Sequence, residues 1–133
     1  MALAARVISN KKIHSGIAGV RPEHVAPVIE LFPERMAAVR PILTGGRLSR
    51  LRDLARNVTA LFEMLVDSSF SMPWRTTAAI VFALGYFLLA TDVIPDVVPV
   101  LGFLDDAAVV AEVIYLVSGD LRRFETHRRA KAA

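Results

Sequence analysis

Residues 86–106 read Tyr86-Phe-Leu-Leu-Ala-Thr-Asp92-Val-Ile-Pro95-Asp96-Val-Val-Pro99-Val-Leu-Gly102-Phe-Leu-Asp105-Asp106. Four carboxylates and three turn-forming residues interrupt a run that is otherwise almost entirely apolar. Moving a charge out of water is expensive, so acids in such surroundings need pairing, protonation, a metal or a water-lined niche. No Lys or Arg lies between Arg75 and Arg122, so no cation close in sequence can pair with them.

The segments on both sides of this run predict an apolar helical hairpin over residues 74–118. Residues 74–90 and 107–118 are apolar on nearly every side, which is typical of helices buried in protein or in lipid. The hairpin turn would be formed by Pro95, Pro99 and Gly102. Each helical segment is shorter than the roughly 20 apolar residues that span a bilayer. The hairpin therefore suits a protein core, a re-entrant segment or a membrane hairpin.

The remaining chain also predicts helices, so the fold class is all-α. Apolar residues recur at three- and four-residue steps over 48–67, which predicts an amphipathic helix with a cationic side at its beginning. Prolines between residues 21 and 43 predict short helices near 23–32 and 34–40 rather than one long helix. We divide the 133 residues into an N-terminal arm (1–46), whose first 20 residues we expect to be weakly ordered, a helical domain (47–120) and a basic, partly helical tail (121–133).

The acidic run carries a family resemblance. It resembles the YkvA-like family, a bacterial domain of unknown function, over about residues 72–118. The matching positions are Tyr86, Asp92, Pro95, Asp96, Pro99, Gly102, Asp105 and Asp106, with Pro73-Trp74 as a lead-in. Thr91-Asp92 departs from the pattern, since many members have a Pro two residues before the first Asp. The resemblance implies no particular activity.

Two main interpretations of the four acids remain open. Asp92 could cap a new turn that includes Pro95, and Asp105-Asp106 could cap a helix that starts at Ala107, where the positive end of the helix dipole favours carboxylates. Alternatively, the turn could gather Asp92, Asp96, Asp105 and Asp106 into a site for Mg²⁺ or Ca²⁺, which prefer oxygen ligands. A proton- or cation-binding role, or an acidic patch for a basic partner, is a further interpretation. Tyr86 lies one turn before Asp92 and could hydrogen-bond into the cluster.

Basic and aromatic residues around the hairpin favour a membrane surface. We expect lipid-headgroup contacts from Arg47, Arg50, Arg56, Arg75, Arg122 and Arg123, and interface positions for Trp74, Tyr86 and Tyr115. The beginning of the chain lacks the pattern of a secretory signal. Because cations flank the hairpin on both sides, the positive-inside rule predicts cytoplasmic termini at a bacterial inner membrane.

The sequence gives little support to other function classes. It has no Cys, no Gly-rich phosphate loop and no Gly-x-Ser-x-Gly motif, so an enzyme is the less favoured interpretation. No nucleic-acid reader motif and no small-molecule site are recognisable. We therefore expect a membrane-associated accessory or scaffold subunit that contacts lipids and other membrane-protein subunits. The alternatives are a soluble oligomeric adaptor, and a divalent-metal-dependent enzyme or sensor that uses the Asp cluster.

Overall fold

The computed structural model describes residues 10–93 and 99–132, with the side chains of 11–91 and 103–132. In these ranges it contains helices and no strand, which confirms the all-α class. A short 3₁₀ turn, Pro22–His24, precedes the second helix. The helices are α1 (Asn10–Ala18), α2 (Val25–Thr44), α3 (Ser49–Val66), α4 (Trp74–Val93), α5 (Pro99–Leu116) and α6 (Ser118–Ala132).

The predicted hairpin is present, and α4 is its central member. The Phe87 ring, late in α4, lies 6.0 Å from the Phe103 ring, early in α5. Thr76, at the start of α4, donates a hydrogen bond to Asp120, just beyond the end of α5. These two pairs show that α4 and α5 run antiparallel. Helices α1, α2, α3 and α5 all pack against α4, which accounts for the apolar residues on its buried sides.

Helix α3 begins and ends within one residue of the predicted span 48–67. Its buried residues recur at three- and four-residue steps, so they form one stripe that covers the hairpin. They are Leu51, Leu54, Ala55, Val58, Leu61 and Met64. The amphipathic prediction is therefore confirmed.

The prediction of two short helices in the proline-containing region is wrong. Residues 25–44 form a single helix that continues through Pro33 and Pro41. Both prolines are exposed, on the solvent side of the helix, where carbonyl groups can turn towards water. The opposite side buries one stripe against α3 and α4. Packing of this stripe outweighs the local cost of the two prolines.

Both ends of the described chain pack more closely than expected. Within α1, Ile13 is buried, and Gly16 lies so close to the Phe82 ring that a Cβ would overlap it. A weakly ordered arm is therefore wrong for residues 10–18, and residues 1–9 lie outside the described residues. The tail is helical over nearly its whole length. Its Phe124 is buried and meets the Phe70 ring edge-on at 5.0 Å. The division of the chain at residues 46 and 120 stays a prediction.

Candidate functional site at the acidic end of the hairpin

The antiparallel hairpin brings Tyr86 of α4 beside Asp105 and Asp106 of α5; we call these three residues the acidic end. Asp106 has no exposed surface. Neither of its carboxylate oxygens has a hydrogen-bond partner among the described residues. Burial, with a smaller contribution from the charge of Asp105, raises the pKa of Asp106 from 3.8 to about 8. Both effects penalise the ionised form, so without a cation the carboxyl is mostly protonated at neutral pH.

Tyr86 lies within electrostatic range of both acids. Burial raises the pKa of the Tyr86 phenol, and the charges of Asp106 and Asp105 raise it further. Its ring is half-buried and lies 6.0 Å from the Phe82 ring. Tyr86 is therefore partly exposed and packs beside the acids, and its role as an interface aromatic stays a prediction.

The capping interpretation is wrong for Asp105 and Asp106. Helix α5 begins at Pro99, so both acids lie about two turns inside it and cannot cap its first turn. Proline is favoured at the first position of a helix, which explains this start. Gly102 likewise lies inside the helix, so it is not a turn residue as predicted.

Part of the acidic motif lies outside the described residues. Asp92 is in the last turn of α4, so it does not begin a new helix. The side chains of Asp92 and Pro99 are outside the described part of the structure, as are Pro95 and Asp96 altogether. The four-acid metal site therefore stays a prediction. Within the described residues, no group of three or more Asp, Glu or His side chains is placed to hold a metal ion.

Sequence reasoning missed one cation near the motif. Arg35 of α2 donates a hydrogen bond from Nη1 to Thr91 Oγ1 at 3.2 Å, and Thr91 directly precedes Asp92 in the chain. The two residues are 56 positions apart, so no local pattern links them. The signal that could have found it is the helical phase of Phe32 and Met36, which places α2 alongside α4.

The predicted headgroup contacts separate into two groups. Arg47 and Arg50 are exposed near the start of α3, and Arg56 there is paired with Asp53. Arg75 and Arg122 are exposed at the opposite end of the bundle. These six cations therefore do not form one surface. Arg123 is engaged locally, because it binds Asp120 Oδ1 at 2.8 Å and the Ser71 carbonyl at 3.1 Å.

The far end of the hairpin combines exposed aromatic and cationic side chains. Trp74 is 45% exposed and Tyr115 is 73% exposed. Because α4 and α5 are antiparallel, the start of one and the end of the other lie at the same end. A groove of about 350 Å³ there is lined by residues that include Arg75 and Leu116. We call Trp74, Arg75, Tyr115, Leu116 and Arg122 the basic end.

Among the described helices, one satisfies the length and hydropathy of a membrane span. It covers Trp74–Thr91 in α4, and half of that window is buried inside the bundle. Length and composition alone do not distinguish a core helix from a spanning helix. The four helices that pack around α4 account for the buried half of this window.

Similarity to known proteins falls on the same helices. A family model described as "Protein of unknown function (DUF1232)" matches residues 76–111. The uncharacterized membrane protein YkvA of Bacillus subtilis (strain 168) is 32% identical over 83 residues, which cover 55% of this chain and 73% of the relative. The chain belongs to the YkvA-like family. The family model covers Tyr86, Asp105 and Asp106, whereas Arg35 lies outside it. No solved structure is significantly similar to this chain.

Proposed function

We propose that this YkvA-like protein is a non-enzymatic, membrane-associated accessory subunit whose basic end rests on the cytoplasmic face of the bacterial inner membrane. The observation that carries the proposal is the basic end itself. It presents two exposed aromatic rings and two exposed arginines at one end of a closed bundle. The description of the Bacillus relative as a membrane protein supports the same location.

The chemistry of the basic end suits an anionic lipid surface. Trp and Tyr rings prefer the boundary between headgroups and hydrocarbon, because they have an apolar body and a polar edge. Arg75 and Arg122 would lie among anionic headgroups, where each basic residue contributes about 1 kcal/mol. Leu116, 37% exposed, adds apolar area beside Arg75.

Surface docking fits the bundle better than spanning. Exposing α4 to lipid would require separating it from α1, α2, α3 and α5, and so opening the apolar core. A docked bundle keeps this core closed and leaves both termini in the cytoplasm, as the flanking cations predict. The remaining faces of the docked bundle are then available to bind other membrane-protein subunits, as a scaffold requires.

Liposome sedimentation of the purified full-length protein tests the docking surface. We expect binding to vesicles that contain an anionic lipid, and weaker binding to neutral vesicles. The double variants Trp74→Ala/Tyr115→Ala and Arg75→Gln/Arg122→Gln should lose most of this binding. The matched control is Arg47→Gln/Arg50→Gln, which removes the same charge from the start of α3 and should bind normally.

Equal losses in the control and in the Arg75→Gln/Arg122→Gln variant would refute the assignment to the basic end. Fractionation of native cells tests the accessory role separately. Release of the protein from membranes by detergent, together with a constant set of membrane subunits, is the expected result.

A soluble adaptor is the second candidate. It is favoured by the burial of half of the apolar window of α4 within the bundle. Recovery of all the protein in the soluble fraction, with no binding to anionic vesicles, would select this candidate over membrane association.

A further inference from the structure

A second groove lies between one side of α6 and the turn that joins α3 to α4, and we call it the α6 groove. Its volume is about 590 Å³, and among the described residues no carboxylate lines it. Its polar lining residues are Ser69, Ser71, Arg122, Arg123, Thr126 and His127. Because Arg122 also belongs to the basic end, the α6 groove continues from that surface.

Two arginines and two hydroxyl groups are available to a ligand in the α6 groove. Arg122 is exposed and forms no ion pair or hydrogen bond within the described part of the chain. Arg123 is oriented by bonds from Nε and Nη2 to Asp120 and the Ser71 carbonyl, and these bonds leave its Nη1 donors unused. The hydroxyls of Ser71 and Thr126 likewise have no hydrogen-bond partner among the described side chains. The groove therefore combines a fixed arginine, an unpaired arginine and two hydroxyl donors.

The wall of the α6 groove is held in place by the Ser69 hydroxyl. Ser69 Oγ donates to Asp67 Oδ1 at 2.6 Å and accepts from Lys131 Nζ at 3.0 Å. Its one proton is used in the first bond, so His127 Nε2, 3.0 Å from Ser69 Oγ, is the donor of that pair. The ring of His127 is therefore fixed at the wall, and the carboxylate of Asp67 is already compensated.

We propose that the α6 groove binds a phosphate group, carried by an anionic lipid headgroup or by a soluble phosphomonoester. A phosphomonoester has a charge of about −1.5 to −2 at pH 7 and three strongly accepting oxygens. Guanidinium groups match phosphate oxygens in both charge and geometry, and the two hydroxyls add neutral donors. The lipid source rests on the proposed membrane docking, whereas the soluble source does not.

NMR titration of the full-length protein with glycerol 3-phosphate and with inorganic phosphate tests the groove without a membrane. We expect a saturable shift of the His127 ring resonances, and no comparable shift at His24, which lines a different groove. Thr126→Glu should weaken this binding about tenfold, which corresponds to about 1.4 kcal/mol, because its carboxylate repels phosphate and competes for the arginines. Thr126→Gln is the matched control, since it has the same size without the charge, and it should bind like wild type. Thr126 is exposed on a helix, so both variants should fold.

Vesicles of phosphatidylcholine with phosphatidic acid, whose headgroup is glycerol 3-phosphate, distinguish the two sources. If the lipid is the ligand, Thr126→Glu should bind these vesicles about tenfold more weakly than Thr126→Gln. Ala132→Glu adds the same charge to α6 outside the groove and should bind like wild type. Equal vesicle binding by the two Thr126 variants, with the His127 shift lost only in Thr126→Glu, would identify a soluble phosphomonoester as the ligand.

The phosphate site is overturned if neither phosphate compound shifts the His127 resonances of wild type, or if Ala132→Glu loses as much binding as Thr126→Glu. Its failure is distinguishable from failure of the docking proposal. Vesicle binding that depends on Trp74 and Tyr115, without any His127 shift, would leave the docking and remove the site. A saturable His127 shift without vesicle binding would leave the site and remove the docking.

Discussion

Asp106 and Asp120 lie on consecutive helices of the same bundle, yet their surroundings shift their pKa values in opposite directions. At the acidic end, burial beside Asp105 raises the pKa of Asp106 to about 8. At the opposite end, hydrogen bonds from Thr76 and Arg123 lower the pKa of Asp120. The ends therefore differ in what holds them together. The acidic end is held by apolar packing around Asp106, which has no compensating partner. The opposite end is held by hydrogen bonds and ion pairs, which compensate the charge of Asp120.

The sharpest test of this contrast is the pH dependence of Asp106→Asn, measured by urea unfolding in the presence of a chelator. The folded protein holds a proton on Asp106 that the unfolded chain releases above its ordinary pKa of 3.8. This retained proton contributes to the free energy of unfolding. The contribution is fully present below about pH 4 and is lost as pH rises through about 8. Wild type should lose on the order of 5 kcal/mol across this window relative to Asp106→Asn.

The charge of Asp105 contributes the smaller part of the raised pKa of Asp106, so Asp105→Asn serves as the control. It should reduce the pH dependence without removing it. Parallel pH profiles for wild type and Asp106→Asn would mean that Asp106 is ionised and compensated, and the contrast between the two ends would fail.

The packing at the acidic end is tested by Phe87→Ala. Phe87 has no exposed surface and lies near the rings of Phe32 and Phe103, at 5.9 Å and 6.0 Å. Its truncation should lower the free energy of unfolding by about 3–5 kcal/mol, because it leaves a cavity in the core. Leu89→Ala is the control two residues away. Its side chain is 63% exposed, and the change should stay within about 0.5 kcal/mol. Similar costs for both variants would indicate that the hairpin is not packed as described.

At the opposite end, Thr76→Val removes the hydroxyl that donates to Asp120 Oδ2 at 2.5 Å. Thr76 is buried, and a hydrogen bond to a charged group contributes about 1.5–3 kcal/mol. We expect a loss of this size at neutral pH by chemical unfolding. The loss should be smaller in acid. A carboxylate whose pKa is lowered in the folded protein, as that of Asp120 is, stabilises the folded form above its unfolded pKa, and this contribution is lost as pH falls.

Thr77→Val is the neighbouring control, since its hydroxyl reaches only the Pro73 carbonyl at 3.5 Å. A cost of Thr76→Val that does not change with pH would show that Asp120 is not the charged partner. The stability contributions tested by Asp106→Asn and by Thr76→Val should therefore change with pH in opposite directions at the two ends of the hairpin.

The sequence predicted the helices whose two faces differ and missed features that depend on distant residues. The sequence predicts the ends of helix α3 within one residue, because its buried apolar residues form a stripe beside a polar side. The prediction breaks helix α2 because it considers only the local cost of Pro33, whereas Phe32 and Met36 are held by packing against other helices.

The acidic end shows the same limit. The run from Tyr86 to Asp106 stands out in the sequence, because charge in apolar surroundings requires compensation. The sequence prediction starts the helix at Ala107 and so misses the position of Asp106 inside α5, which begins at Pro99, a favoured helix start. The bond between Arg35 and Thr91 joins residues far apart in the chain, and only the packing of α2 along α4 brings them together.

The smallest expected effect concerns the exposed ion pair between Arg128 of α6 and Glu63 of α3. Their atoms are 2.8 Å apart, but the side chains are 55% and 43% exposed. A double-mutant cycle with Arg128→Ala and Glu63→Ala should give a coupling of about 0.2–1 kcal/mol, which salt should reduce further. Phe124→Ala should cost several times more, because Phe124 is buried against Phe70. A coupling that exceeds the cost of Phe124→Ala would mean that α6 is held by charge rather than by packing, and the ion pairs of this end would then be its principal support.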